Sequence, residues 1–233
     1  MVDKDRLQQW SRVVAEEAQA KDHSPPEIAG FTEHEAPWRF EVLVDNLSQV
    51  ADSVLDLGED LPDASAGTYD LVVSRFRGID AGEIASLLQP DGTFLTEQAG
   101  SDDLAEVHEE LCALSGPSVQ PAAPTVSLME MENALVRSGL TIERADAHRG
   151  HYTFEEPEAL VRYAARMPWL PTPHPDAPGL EDALARLAAR FEDGPLEATA
   201  SRFVLLARAP GTPDAGRLDL SSLPDDDLKV PRV

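Results

Sequence analysis

The sequence predicts an α/β fold: a mostly parallel sheet covered by helices on both faces. Three observations predict it. Short apolar runs that end in turn residues read as buried strands. Stretches with apolar residues three and four apart alternate with them and read as amphipathic helices. The linkers between the two kinds of segment are short, as strand–helix alternation in one layered domain requires. At 233 residues, 42 % of them apolar, the chain can bury one sizeable core. The expected layout is an N-terminal helix and linker over 1–36, a main domain over 37–209 with a helical insertion at about 156–195, and an acidic tail without regular structure over 210–233.

The elements follow in order. Leu7, Trp10, Val13, Val14 and Ala18 share one face of a helix over Lys4 to Ala20. A second helix is expected from Pro37 to Ala51, with Pro37 in the first turn and Phe40, Leu43, Val44, Leu47 and Val50 on one face. Ser53 to Gly58 reads as a buried parallel strand, and Gly67 to Ser74 as another. Ile79 to Leu88 is a short helix stopped by the turn Gln89-Pro90-Asp91-Gly92, and Thr93 to Thr96 is the third strand. Helices are expected over Asp102 to Leu114 and Ser127 to Ser138, the latter closed by Gly139. Leu140 to Ala145 opens a fourth strand, helices follow over Glu158 to Arg166 and Leu180 to Phe191, and Ala198 to Arg208 is the closing strand. The last two strands, separated by the insertion, can pair antiparallel at one edge.

Composition excludes several classes of function. The chain carries 43 Asp and Glu against 19 Lys and Arg, a formal net charge of −24. Affinity for phosphate backbones and anionic lipid rests on cationic contacts, so neither nucleic acid nor a membrane surface is an expected partner. No stretch approaches the ~20 apolar residues that span a bilayer. The start, Met1-Val2-Asp3-Lys4-Asp5-Arg6, leads into no apolar run, so the expected location is cytoplasmic. A single cysteine, Cys112, leaves neither an internal disulfide nor a cysteine zinc site. His148 and His151 flank Arg149-Gly150, but no third ligand is visible, so no metal is expected.

Three pieces carry a resemblance. Val54-Leu55-Asp56-Leu57-Gly58 looks like a first strand leading into a glycine-rich loop. Tyr69-Asp70-Leu71-Val72-Val73-Ser74-Arg75-Phe76 looks like an aromatic-Asp-Leu-Val fourth strand. Leu87-Leu88-Gln89-Pro90-Asp91-Gly92-Thr93-Phe94-Leu95 looks like a Leu-x-Pro-Gly-Gly turn into a fifth strand. In this order, and followed by the closing strand Arg202-Phe203-Val204-Leu205-Leu206-Ala207-Arg208, they resemble class I S-adenosylmethionine-dependent methyltransferases over roughly residues 37 to 210. The resemblance implies a truncated Rossmann-like methyltransferase sheet, mostly parallel with an antiparallel edge strand. It implies S-adenosylmethionine as cofactor and a small molecule as methyl acceptor.

The departures from the family pattern are physical. The family's loop continues as Gly-x-Gly-x-Gly, so that the backbone approaches the cofactor closely. Here Gly58 is followed by Glu59-Asp60-Leu61-Pro62-Asp63. Two further βα units, one carrying the acid for the ribose and one the adenine-binding loop, need on the order of 40 residues. Only Glu59 to Thr68 stands in that place. The Val54–Gly58 strand is thereby left as an apolar sheet edge, a surface for a homo-oligomer such as a dimer.

The resemblance places candidate cofactor-binding residues at Asp56, Gly58, Arg75 and Gln98. Asp56 serves either the methionine amine or backbone amides at the strand end, and Gln98 either a ligand or the next helix. Glu97 shares the rim with Gln98. Phe76, His151, Tyr152 and Trp169 are candidates for a substrate pocket; the alternative for Phe76 is a packed side chain beside an exposed Arg75, and for the other three an aromatic plug in the insertion's own core. No catalytic residue is identified. The expected function is a methyltransferase-like protein that has become a degenerate pseudoenzyme or interaction module. The alternatives are an active small-molecule methyltransferase with an altered or partner-completed cofactor site, and a pocket repurposed for another ligand.

Overall fold

The computed structural model describes residues 4–19, 28–34, 36–58, 65–115, 126–167, 170–171 and 173–211. In chain order the elements are α1 (Lys4–Gln19), β1 (Phe31–Glu33), α2 (Phe40–Ser48), β2 (Val54–Asp56), β3 (Tyr69–Arg75), α3 (Ala81–Leu87) and β4 (Leu88–Ala99). A 3-10 turn at Ala105–Val107 precedes α4 (His108–Ser115), and then come α5 (Leu128–Arg137), β5 (Thr141–Phe154), α6 (Pro157–Arg166), α7 (Leu180–Ala189) and β6 (Leu196–Arg208). The strands are hydrogen-bonded in the order β1-β5-β6-β4-β3-β2. The acidic loop Glu59–Asp63, Trp169 and the tail beyond Gly211 lie outside the described residues.

The chain forms two compact units, each assembled from three stretches of sequence. One comprises Met1–His34, Asp102–Pro124 and Gly150–Ser201; the other comprises Glu35–Ser101, Thr125–Arg149 and Arg202–Val233. The N-terminal helix and the segment 156–195 thus fall within the same unit.

In the second unit, β2 and β3 are parallel, with Leu55 opposite Val72, and β3 and β4 are parallel, with Val73 opposite Leu95. β6 lies antiparallel on β4, with Leu206 opposite Leu95. Because side chains alternate along a strand, each strand feeds both faces. Leu55, Val72, Phe94, Phe203 and Leu205 pack with Ile84, Leu87, Met131 and Leu135 of α3 and α5. Leu71, Val73, Leu95, Val204 and Leu206 pack with Phe40, Leu43 and Leu47 of α2. Full burial of one such side chain contributes about 1.5–3 kcal/mol, so these two layers dominate the unit's stability. Asp70 ties the start of β2 to β3, accepting from Ser53 N at 2.9 Å and Ser53 Oγ at 2.8 Å.

The expected turn at Gln89–Gly92 survives as a bulge inside β4 rather than as its beginning. Tyr69 is opposite Leu88 and Leu71 is opposite Thr93, so the intervening residues of β4 are extruded. Asp91 takes a left-handed φ of 64°, and a Cβ on Gly92 would stand 2.8 Å from both Gln89 O and Tyr69 O. Only glycine fits there. α2 starts at Phe40, three residues after Pro37, because the intervening Trp38 is buried and its indole is engaged elsewhere, while Arg39 is still extended.

The first unit is built on α1, α4, α6 and α7. Trp10, Val13 and Val14 of α1, Leu111 and Leu114 of α4, Leu160 and Val161 of α6, and Leu184 and Leu187 of α7 are all buried. Glu17 of α1 sits between Arg162 and Arg166 of α6, at 3.0 Å from Arg166 Nε. β1 pairs antiparallel with the far end of β5, and its Phe31 lies 4.7 Å from the Tyr163 ring and 5.1 Å from the Phe154 ring.

The helix expected over Asp102–Leu114 is broken at its start. Leu104 is left-handed at φ 54°, and its N–H donates to Thr199 O at 2.9 Å. Glu106 accepts from Thr199 N at 3.0 Å and Asp103 from Ser201 N at 2.9 Å. These bonds to β6 draw the first turn out of α-helical register.

Candidate functional site

In open α/β sheets, ligands sit outside the carboxyl ends of the strands. In the second unit, those ends of β2, β3 and β4 bring together all four expected cofactor-binding residues. β2 closes on Asp56-Leu57-Gly58, β3 on Ser74-Arg75-Phe76-Arg77, and β4 on Glu97-Gln98. The parallel register sets Arg75 opposite Glu97, and Phe76 N donates to Glu97 O at 2.9 Å.

Each of the four is engaged with its neighbours. Asp56 Oδ1 accepts from Gly58 N at 2.8 Å, so the acid at the strand end folds onto its own turn. A Cβ on Gly58 would lie 3.1 Å from that same oxygen. The Arg77 guanidinium donates to Leu57 O within this turn. Gln98 is buried and donates its amide to Thr96 Oγ1 at 2.8 Å and to Arg77 O at 3.1 Å.

Arg75 is the centre of a larger group. Its Nε donates to Glu97 Oε2 at 2.7 Å, and its Nη1 donates to Glu41 Oε1 of α2. Glu97, buried with only 6 % of its side chain exposed, also accepts the Trp38 indole N–H at 2.9 Å. The Arg75 guanidinium lies over the rings of Phe40 at 5.3 Å and Phe76 at 5.0 Å, and Arg202 lies 4.9 Å from the Phe76 ring. Such cation–π contacts contribute about 0.5–1 kcal/mol each where solvent reaches them. Burial acts to raise the Glu41 carboxyl pKa, but its backbone hydrogen bond and the Arg75 charge outweigh that and hold it below the ordinary value. Phe76 has φ 50°, a left-handed conformation that costs a bulky residue of order 1–3 kcal/mol and is found most often where function or tight packing imposes it.

Of the expected substrate-pocket residues, Trp169 lies outside the described ones, and the other three are described within their own units. Phe76 belongs to the second unit, and His151 and Tyr152 to the first. His151 and Tyr152 are consecutive on β5 and face opposite sides. Tyr152 is fully buried, donates its hydroxyl to Asp103 Oδ1 at 3.2 Å, and lies 5.3 Å from the Tyr163 ring. It is part of an aromatic plug. His151 is exposed and stacks on His34. His148 stands edge-on to Trp38 at 6.3 Å. The residues that organise the rim without a sequence signal are Trp38, Glu41, Arg77 and Arg202. Only proximity in the folded chain singles them out.

No family model matches the chain. No curated protein matches it either. Among solved structures it is similar to a functionally unknown protein from Deinococcus radiodurans R1, at 18 % identity and TM-score 0.36, over 64 % of this chain and 55 % of that one. It is similar to the YcgJ protein of Bacillus subtilis at 14 % identity and TM-score 0.41, over 66 % of this chain and 68 % of that one. A SAM-dependent methyltransferase structure from Methanosarcina mazei aligns at 9 % identity and TM-score 0.37, over 66 % of each chain. The chain thus spans little more than half of the first of these.

The segments resembling a first, fourth and fifth strand lie side by side and parallel as β2, β3 and β4, and the closing strand β6 is antiparallel beside them. The chain therefore has a shortened, Rossmann-like α/β arrangement in this unit, three parallel strands with an antiparallel neighbour.

Proposed function

We propose that the protein is a methyltransferase-like pseudoenzyme, an interaction module that has kept the fold and lost ordinary binding and turnover of S-adenosylmethionine. The observation that carries this reading is the closure of the β2 turn on itself. Asp56 Oδ1 holds Gly58 N, and Arg77 holds Leu57 O, where a cofactor's methionine portion would need the backbone exposed. The residues present do not fit the cofactor: the chain between β2 and β3 is too short for the ribose and adenine elements, and the Gln98 amide is buried in bonds to its own unit.

The interaction surface in this reading is the outer side of β2. In the parallel ladder Ser53 O accepts from Leu71 N and Leu57 N donates to Val73 O. The alternate residues Val54 and Asp56 therefore direct their backbone groups away from β3. Val54 is 43 % exposed, and no strand pairs with this side among the described residues. A second copy of the chain pairing there gives a dimer, as edge strands readily do. The edge is only three residues long, so a dimer held by it is weak.

The second reading is an active methyltransferase acting on a small molecule through an altered or partner-completed site. Phe76 favours it: a left-handed aromatic beneath two guanidinium groups, at the strand end that faces substrate in this fold. Titration calorimetry with S-adenosylmethionine and S-adenosylhomocysteine separates the two. The pseudoenzyme reading expects no saturable heat at millimolar ligand from folded protein. Micromolar binding that Gly58→Trp abolishes overturns it in favour of the enzyme.

A further inference from the structure

We propose that His34 and His151 form a two-imidazole site for a borderline transition-metal dication, Ni2+, Zn2+ or Cu2+, which clamps β1 onto β5. The site does not depend on the function proposed above.

The register builds it. β1 runs antiparallel to β5 with Glu33 opposite Tyr152, and the next step sets His34 opposite His151, where His34 N donates to His151 O at 3.1 Å. Directly opposed residues of a hydrogen-bonded antiparallel pair have Cα atoms about 5.5 Å apart and side chains on the same face. The two imidazoles accordingly stack, with centroids 3.6 Å apart and planes 28° from parallel. Both side chains are exposed. Because both rings lie at the surface, rotation about their side-chain torsions is what turns two ring nitrogens toward a shared point.

The opposite face of β1 keeps the backbone in place while this happens. Phe31 is set into the aromatic group of Tyr152, Phe154 and Tyr163, at 5.7, 5.1 and 4.7 Å. The two histidines are therefore presented from strands whose spacing does not need to change. That preorganisation distinguishes them from imidazoles scattered on a surface. The ligand class follows from donor chemistry: neutral imidazole suits nickel, copper and zinc, whereas calcium and magnesium prefer carboxylate and water oxygen. No group of three or more His, Cys, Asp or Glu side chains converges among the described residues, so water completes the coordination sphere and the affinity is modest.

The test is thermal unfolding of the full chain with ZnCl2, together with NMR of the imidazole resonances during NiCl2 addition. At zinc tenfold above its dissociation constant, the expected rise in Tm is roughly 3–6 °C. His34→Gln and His151→Gln each abolish the rise, whereas His148→Gln and His174→Gln leave it intact. In the wild-type spectrum the His34 and His151 resonances broaden together at the lowest nickel concentration, a result that needs no variant to fold. The proposal fails if CaCl2 gives an equal rise, which assigns the effect to carboxylates. It also fails if the rise survives in His34→Gln, if other histidines broaden first, or if millimolar zinc leaves the Tm unchanged.

Discussion

The indole N–H of Trp38 donates to Glu97 Oε1 at 2.9 Å, while the other oxygen of the same carboxylate accepts from Arg75. One buried acid thus joins the entry to α2, the end of β3 and the end of β4. Trp38→Phe removes a single hydrogen bond, with an expected loss of about 1–2 kcal/mol. Glu97→Ala strands the indole N–H and releases Arg75, with an expected loss of about 2–3 kcal/mol. Because both act on one network, the double variant loses less than the sum of the two, which urea denaturation of the four proteins measures.

Glu17 gives the first unit one source of pH dependence. Burial acts to raise its carboxyl pKa, but the hydrogen bonds and charges of Arg166 and Arg162 outweigh burial and lower it from the ordinary 4.5. A carboxyl with a depressed folded pKa stabilises above its unfolded value, and that contribution disappears as pH falls through the folded one. Glu17→Gln is expected to cost about 2–3 kcal/mol at neutral pH, discounted for partial exposure of both arginines. The Tm difference between wild type and variant should shrink as the pH is lowered below 4.5.

Gly92 is the residue of the β4 bulge that cannot acquire a side chain. A Cβ there meets two carbonyl oxygens at 2.8 Å, and neither can move without opening the β3–β4 ladder. Gly92→Ala should cost at least about 2 kcal/mol, whereas Pro90→Ala, at an exposed position of the same bulge, should cost under about 1 kcal/mol. Chemical denaturation midpoints compare them directly.

Val54 allows the edge to be tested without damaging the sheet. Its N–H faces away from β3, so Val54→Pro removes an outward donor and leaves the β2–β3 bonds in place. Light scattering after size exclusion should show a dimer for wild type and a monomer for Val54→Pro at equal concentration. With a formal charge of −24 on each copy, added salt should strengthen the wild-type dimer by screening repulsion. A monomer under every condition removes the self-pairing reading.

Much of the fold was legible because its signals are local. The runs Leu71-Val72-Val73 and Phe203-Val204-Leu205-Leu206 are apolar on both faces, as strands covered by helices on both sides must be, whereas the Val54–Asp56 strand expected to be buried keeps only Leu55 inside because it lies at the sheet edge. Ser127 and Glu130 form a capping box at the start of α5, a signature readable at a spacing of three. β5 was only half legible. Its later residues, from Asp146 through His151, are polar and partly exposed, so no apolar run announces the strand. β1 is three residues long, and its one anchoring side chain is Phe31, too little for any period to register.

The candidate rim was legible as a set of strand ends and not as a network. Motif order places Asp56, Gly58, Arg75 and Gln98 at the carboxyl ends of strands, and the sheet brings them together. That Arg77 closes the β2 turn and that Glu97 holds Trp38 depends on register between strands, which no single segment encodes.

By itself, then, the sequence determined the class of fold, the main runs of strand and helix, an interruption at Gln89–Gly92 and the absence of room for two βα units after Gly58. Only the tertiary structure decided that His151 meets His34 rather than His148, that Glu17 meets Arg162 and Arg166, and that Tyr152 is turned away from its neighbour. The reason is physical. Periodicity and turn chemistry act over a few residues and leave a trace in the order of amino acids. Contacts between residues far apart in the chain arise only when burial of the two cores sets the strands in register.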